Sequence, residues 1–323
     1  MSSIKRPDEA VSPPIPAISV VVPLYNHAQY IESALDSVLS QTSPADEIVL
    51  IDDGSSDNGF ELAQRKLANL PHVKTFRQEN AGAHTTINRA IGISRGDYIA
   101  VLNSDDVFAP TKLERCRAVI RERPGVGLVA GNPGIMDGQG VRLNSGFAFD
   151  WMRRARHFLE QTKLPQLALL NENFVATTSN MVFTRGLWDE AGGFQPLRYC
   201  HDLDFLMFAC AHSAVFLDLE HEHIVYRVHD NNTIWEDHDK VRVELAAVIA
   251  QALSASGPRF FSADLGEQDL AAYLLFLRNR RLTEMLSFFQ TVRPAFPSRT
   301  AFYAYAADPR HASAFRAAVA GGP

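Results

Sequence analysis

The apolar positions along this chain change period in a regular way. Ile18-Ser19-Val20-Val21-Val22-Pro23 is a short β-branched run that predicts a strand. Ile31, Ala34, Leu35, Val38 and Leu39 then recur at helical spacing and predict a helix with one buried face. The same alternation continues with a strand over 47–51, a helix over 59–70, a strand over 73–76, a helix over 85–94 and a strand over 98–102. A helix running from Pro110 to Arg123 and a strand over 126–130 follow. Strands alternating with helices predict an α/β fold whose mainly parallel central sheet is covered by helices on both faces.

Past residue 131 the pattern weakens. Residues 131–146 are Gly-rich and read as a loop, and 151–170 as helix. A strand is expected over 174–183, a helix over 204–212, and two strands over 215–218 and 224–228. The stretch from 240 to 323 is rich in Ala, Leu, Phe and Arg and reads as a helical C-terminal appendage. Within it, residues 270–292 mix Leu and Phe with Arg278, Arg280 and Arg281. That pattern suits a packing helix with a solvated basic edge, or a peripheral contact with an anionic membrane. Residues 1–16 carry four prolines among polar residues and read as a disordered leader.

Composition narrows the function classes. The formal charge of −6 argues against a general nucleic-acid binder. Cys116, Cys200 and Cys210 are too few and too irregular for a disulfide framework or a zinc cluster. The N-terminus lacks a signal-peptide pattern, and no stretch approaches the ~20 apolar residues of a membrane span. The expectation is therefore a cytoplasmic protein, at most peripheral at the inner face of the membrane.

Candidate chemistry gathers where the strands end. The second strand runs into Asp52-Asp53-Gly54-Ser55, and the fourth into Asn103-Ser104-Asp105-Asp106. In an open α/β sheet, ligands bind outside the carboxyl ends of the strands. Carboxylates crowded there need a cation or hydrogen-bond donors to share the site. Tyr25 could stack on a base, Asp53 could accept from an imide N–H or a ribose hydroxyl, and Asp105 and Asp106 could hold Mg or Mn against a diphosphate. Asp-Asp-Gly-Ser is also ordinary turn chemistry, so the joint placement carries the weight.

Taken together, Val20-Val21-Val22-Pro23-Leu24-Tyr25-Asn26, Ile51-Asp52-Asp53-Gly54-Ser55-Ser56-Asp57, Asn80-Ala81-Gly82 and Leu102-Asn103-Ser104-Asp105-Asp106 resemble the family 2 glycosyltransferases of the GT-A fold. The resemblance covers about residues 17–235, with a nucleotide-sugar half (17–131), an acceptor half (132–235) and a C-terminal extension (236–323). It implies that Pro23, Tyr25, Asp52 and Asp53 cradle the nucleoside and that Asn80 and Gly82 lie near the base or diphosphate. Asn103, Ser104 and Asp105 complete the donor site, with Asp105 as metal ligand and Asp106 as a second candidate. Asn103 departs from the family, which usually has a first Asp there; Asn keeps an acceptor oxygen and loses the charge.

On the acceptor side, Gly192-Gly193-Phe194 and His201-Asp202-Leu203-Asp204 resemble the family's Gly-Gly-Phe and Glu-Asp-x-Asp segments, with His201 in place of Glu. Asp202 then matches the base that deprotonates the acceptor hydroxyl; as a plain structural residue it would cap the following helix. Tyr226-Arg227-Val228-His229, followed by Asn231-Asn232-Thr233, resembles the downstream segment whose histidine completes the metal shell. Ser179 and Asn180 are candidates for the acceptor pocket. His221 and His223 are spaced like a metal pair but lack an evident third ligand.

The expectation is an inverting transferase moving a sugar, most simply from a UDP-sugar, to a glycan or lipid-linked saccharide in surface polysaccharide biosynthesis. The rival is a catalytically inactive nucleotide-sugar-binding module, for which Asn103 and His201 speak. A nucleotidyltransferase would carry a basic Gly-rich loop where Pro23-Leu24-Tyr25-Asn26 stands. Gly125-Val126-Gly127-Leu128-Val129-Ala130 is no dinucleotide fingerprint, because its glycines precede a strand.

Overall fold

A computed structural model describes residues 16–230, 232, 236–260 and 265–320. The expected leader falls almost wholly outside the described residues, as do Asn231 and Thr233. The first half reads β1 (Ile18–Leu24), α1 (Ile31–Leu39), β2 (Glu47–Asp52), α2 (Gly59–Leu67), β3 (Val73–Arg77), α3 (Ala83–Ile93), β4 (Tyr98–Val101), β5 (Val107–Phe108), α4 (Lys112–Glu122) and β6 (Val126–Met136). The second half adds α5 (Phe147–Thr162), α6 (Pro165–Asn171), β7 (Met181–Thr184), α7 (Arg185–Glu190), α8 (His201–His212) and β8 (Ala214–Arg227). Five further helices follow: α9 (His238–Ser256), α10 (Glu267–Arg280), α11 (Thr283–Val292), α12 (Arg299–Ala306) and α13 (Pro309–Ala320).

All eight strands form one sheet in the order β3-β2-β1-β4-β7-β6-β8-β5. The first four are parallel, as expected. β7 is antiparallel to both β4 and β6, and β5 is antiparallel to β8, so the far half is mixed. Alternate residues of β1 serve two cores. Val21 faces a cluster with Ile87 and Ile91 of α3, whereas Val20 and Val22 face Leu35 of α1 and Ala63 of α2. This period of two is why one strand can be sealed on both sides.

Several expectations need correcting in the second half. The Gly-rich stretch after residue 130 is strand as far as Met136, because β8 pairs beside it to Arg227. Glycine serves close approach there: a Cβ on Gly131 would lie 2.1 Å from the His223 ring. The two short strands over 215–228 are one strand, its register broken opposite Gly131–Pro133 by a bulge. The strand expected over 174–183 shrinks to Met181–Thr184, preceded by a 3₁₀ turn over Thr178–Asn180 that Thr177 caps by accepting Ser179 N. Residues 151–170 form two helices, parted before Pro165, and 270–292 form two, parted at Arg281 with φ 52°.

The C-terminal helices are more than an appendage. Val243, Ala246 and Ile249 of α9, Phe276 of α10, Phe289 of α11 and Phe302 of α12 belong to the same buried cluster as Phe183 and Phe205. Among the described residues no helix is long and apolar enough to cross a membrane.

Candidate functional site

The loops at the carboxyl ends of β1 and β2 are stitched together. Asn26, at φ 52°, takes its backbone N–H to Ser55 Oγ (2.9 Å) and accepts Ser56 N on its own side-chain oxygen (2.8 Å). Asp57 accepts from Ala28 N at 2.8 Å. Tyr25, just past the end of β1 and two residues after half-buried Pro23, is 47% exposed.

Asp53 is almost fully buried, and its carboxylate accepts from Gln78 Nε2 (2.7 Å), Ala81 N (2.9 Å) and Gly82 N (2.9 Å). It thus shapes the loop of exposed Asn80 and of Gly82, which opens α3 at φ 87°. A carboxylate offers about four acceptor positions, so Asp53 keeps one for a ligand. Asp52 is fully buried, paired with Arg77 Nε at 3.0 Å, and its Oδ1 has no hydrogen-bond partner. It stands behind the cleft and anchors the loop.

The second doublet divides its labour. β5 pairs with β8 through Val107↔Val225, which carries Asp105 alongside Arg227 and His229. His229 Nε2 lies 3.1 Å from Asp105 Oδ2, and His27 Nε2 lies 4.0 Å from the same oxygen. One ligand atom from each of His27, Asp105 and His229 falls within 4.8 Å of the other two. Burial works against a charge on Asp105, but the His229 hydrogen bond and the two imidazoles outweigh it and hold its carboxyl below the usual range. Burial, reinforced by His229, pushes His27 down despite Asp105, leaving a neutral ring able to ligate. One carboxylate and two imidazoles fit a first-row transition metal better than Mg, which prefers oxygen ligands, and Mn is the hardest and weakest-binding of that series.

Asp106 does not belong to that cluster. It is 1% exposed and accepts from Ser179 Oγ (2.6 Å), Thr177 Oγ1 (3.2 Å) and Arg227 N (3.0 Å). Burial first, and then the neighbouring charge of Asp105, push its proton affinity up, so the pair keeps its negative charge on Asp105. Lys112, fully buried behind this turn, donates to Ser179 O. Arg227, absent from the sequence candidates, donates through Nε to Asp105 O at 2.7 Å and so clamps the turn from β8.

Three other expectations change here. Ser179 and Asn180 are fully buried. Ser179 bonds Asp106 and Asn103 N, while Asn180 bonds Gly131 and Val175, so both shape the site from within and line no pocket. Ser104, 2% exposed, has its Oγ 2.8 Å from His27 Nδ1, which leaves Nε2 toward Asp105. Asn103 donates to Thr177 Oγ1 (2.8 Å) and accepts from Thr178 Oγ1 (3.0 Å), a pairing that needs both halves of an amide. Its departure from the family thus has a local reason, and His27 stands with Asp105 and His229 as a third group that could hold a cation. His27 directly follows Tyr25-Asn26 at a strand end, a signal the sequence does carry.

On the acceptor side, Gly192 and Gly193 adopt φ 64° and 78°. A Cβ on Gly193 would meet Asn88 Oδ1 at 2.8 Å, and that same oxygen accepts Phe194 N at 2.9 Å, docking the turn on α3. α8 then begins, with Cys200 at the N-cap and Asp202 second in the helix, so Asp202 is not the cap residue. Its carboxylate accepts from Asn173 Nδ2 (3.0 Å) and Leu203 N (2.7 Å), and burial pushes its pKa up to about 6. His201 is pushed down to about 4 by burial and then by His84, so it is neutral. Asp204 is clasped by Tyr303 and Arg299 of α12 and is structural.

Two side chains lie within electrostatic reach of both halves of the site. Tyr226 feels the charges of Asp106, Asp105 and Asp202 together, on top of the burial that raises it. His84, at the start of α3, feels Asp53 on one side and acts on His201 on the other. By contrast, His221 and His223 both bond Asp218 (2.7 and 3.1 Å), His223 being fully buried; they brace β8 apart from the cluster at Asp105.

The family model for glycosyl transferase family 2 matches residues 19–190. The chain belongs to that family. Chondroitin synthase of Escherichia coli is 29% identical over 180 residues, 56% of this chain and 24% of that one. An uncharacterised glycosyltransferase of Rickettsia typhi is 29% identical over 222 residues, 68% and 66% of the two chains. The uncharacterised glycosyltransferase YibD of Escherichia coli is 41% identical over 97 residues, 30% of this chain and 28% of that one, so the curated relatives extend well beyond the matched stretch.

Among solved structures, S. aureus TarS 1–349 with UDP superposes with a TM-score of 0.57 at 20% identity, over 92% of this chain and 82% of that one. A Pyrobaculum calidifontis mannosyltransferase in complex with GDP-Man and Mn2+ gives 0.53 at 18%, over 97% and 77%. These likenesses establish the GT-A fold for this family 2 chain.

Proposed function

We propose that the protein is an inverting glycosyltransferase that moves a sugar from a nucleotide-sugar to a hydroxyl of a saccharide acceptor. What supports this reading is that Asp105, from the candidate metal cluster, and Asp202, a carboxylate whose pKa burial raises to about 6, both act on Tyr226. Tyr25, Asp53, Asn80 and Gly82 would hold the nucleoside, and Asp105, His229 and His27 would hold a divalent cation. Such a cation supplies charge neutralisation for the departing diphosphate. Asp202 takes the proton of the acceptor hydroxyl, whose oxygen bonds to the anomeric carbon from the face opposite the diphosphate. The bond from that carbon to the diphosphate oxygen breaks, and the electron pair leaves with the nucleoside diphosphate. One displacement inverts the anomeric centre.

UDP-sugar is the simplest donor, given the neighbour bound to UDP, although another holds GDP-Man. A growing glycan or lipid-linked saccharide is the acceptor suggested by the chondroitin and hyaluronan synthases among the relatives. Leu270 (50% exposed) and Leu274 (56%) share α10 with exposed Arg278, which supports a peripheral contact with a membrane bearing such an acceptor.

The test is a screen of UDP-, GDP- and dTDP-sugars with and without Mn, read by melting temperature and by release of nucleoside diphosphate. One donor is expected to stabilise the protein with Mn and to be turned over by the wild type but not by Asp202→Asn. Binding indifferent to EDTA, with no release from any donor and acceptor pair, would overturn the reading in favour of an inactive binding module.

A further inference from the structure

Inside the helix that carries Asp202, Asp202 itself accepts Leu203 N, but the N-cap, Cys200, makes no side-chain cap bond. The N–H groups of residues 198–200, which lead into the helix, need an acceptor from elsewhere. Glu244, in α9, provides it. Its Oε1 accepts Arg198 N at 2.8 Å, and its Oε2 accepts Tyr199 N at 2.7 Å and Cys200 N at 3.1 Å. Burial pushes Glu244 above the usual carboxylate range, while these three bonds and Arg198 favour its ionised form; bonds from N–H groups to an ionised carboxylate are among the stronger ones in proteins. The post is firm, because Ala246 to Ala250 of the same helix are buried in the main core.

The charges around Asp202 single out the same residue. Asn173 faces it with a neutral amide. Burial pushes the Cys200 thiol and the Tyr226 hydroxyl up, and His201 down, so all three are uncharged near neutrality. Arg280 acts on Cys200, and Arg198 is paired through Nε with Glu236 at 2.8 Å. Asp204, two residues on, is bound to Tyr303 and Arg299. After burial, which raises Asp202, and the bonds from Leu203 N and Asn173, which lower it, Glu244 adds a charge that favours the protonated form.

We propose that Glu244 is a positioning residue for Asp202: its carboxylate fixes residues 198–200, and so the point at which α8 begins and the direction in which Asp202 is presented. This rests on the reading of Asp202 as the base. It makes the C-terminal helices part of the acceptor machinery and gives their attachment to this family's sheet a chemical purpose.

The experiment needs no substrate. The full chain, labelled with carboxyl-13C aspartate, is titrated in wild type, Glu244→Gln and Glu244→Asp, with Asp202→Asn assigning the Asp202 resonance; amide exchange is followed at 198–200. In Glu244→Gln the Asp202 midpoint is expected to fall by about half a pH unit or more, and exchange at 198–200 to quicken about tenfold or more. Glu244→Asp keeps the charge but not the reach, so its midpoint stays near wild type while exchange quickens. An unmoved midpoint with protection intact in Glu244→Gln overturns the proposal, as does a loss of melting temperature with both local readouts unchanged. Turnover of Asp202→Asn tests the base reading separately, so either idea can fail alone.

Discussion

His229 reaches Asp105 across 124 residues of sequence, its Nε2 3.1 Å from Asp105 Oδ2. The pairing of β5 with β8 makes the meeting, and His27 arrives from the β1 side. An Asp-His-His set favours metals that accept imidazole. Isothermal titration of the wild type is therefore expected to give tighter binding of Mn than of Mg. His27→Ala and His229→Ala should each weaken Mn about tenfold or more, and Mg far less. Equal losses for the two metals would remove His27 and His229 from the ligand set.

Restoring the family's usual acid at position 103 should not improve the site. Asn103→Asp loses the donor to Thr177 and places a third carboxylate beside Asp105 and Asp106. The expected result is a destabilisation of about 1–3 kcal/mol in urea with no gain in Mn affinity. Tighter Mn binding would show that the lost charge, rather than the amide network, governs this position.

Gly54 holds φ 76°, and a Cβ there would lie 2.9 Å from Asn80 N. Gly54→Ala must strain the turn or displace the loop that Asp53 organises, at a cost of about 1–2 kcal/mol. Affinity for UDP is expected to fall with the melting temperature, while Mn affinity stays near wild type. Unchanged UDP binding would place the nucleoside away from this loop.

Asp202 has its pKa raised to about 6 by burial, so a base there is ionised only above that pH. The acid limb of kcat/KM is expected near pH 6, with activity falling as the pH drops through it. The sign for stability is opposite. The folded protein holds this proton more tightly than the unfolded chain, so ionising Asp202 costs stability that is absent below about pH 4 and complete above about pH 6. Asp202→Asn should lose turnover yet be more stable at pH 7, on the order of 2 kcal/mol; a less stable variant would contradict the buried-acid account.

The sequence by itself determined the parallel half of the sheet. Each strand of β1, β2 and β4 is one apolar run stopped by polar turn residues, and each helix between them has a single buried face. It also determined which loops carry the chemistry, since Tyr25, Asp53, Asp105, Asp202 and His229 all stand in short local patterns. Tertiary structure decided what those patterns do. Asp105 and Asp106 are neighbours in sequence, but alternate residues point different ways: one joins His27 and His229, and the other is consumed by Thr177, Ser179 and Arg227. Ser179 and Asn180 looked available until their hydrogen bonds were satisfied inside the protein. The approach of His27 to Asp105, the clamp from Arg227 and the Glu244 post all arise between residues far apart in the chain. No local periodicity encodes such meetings, because strand register and helix packing set them.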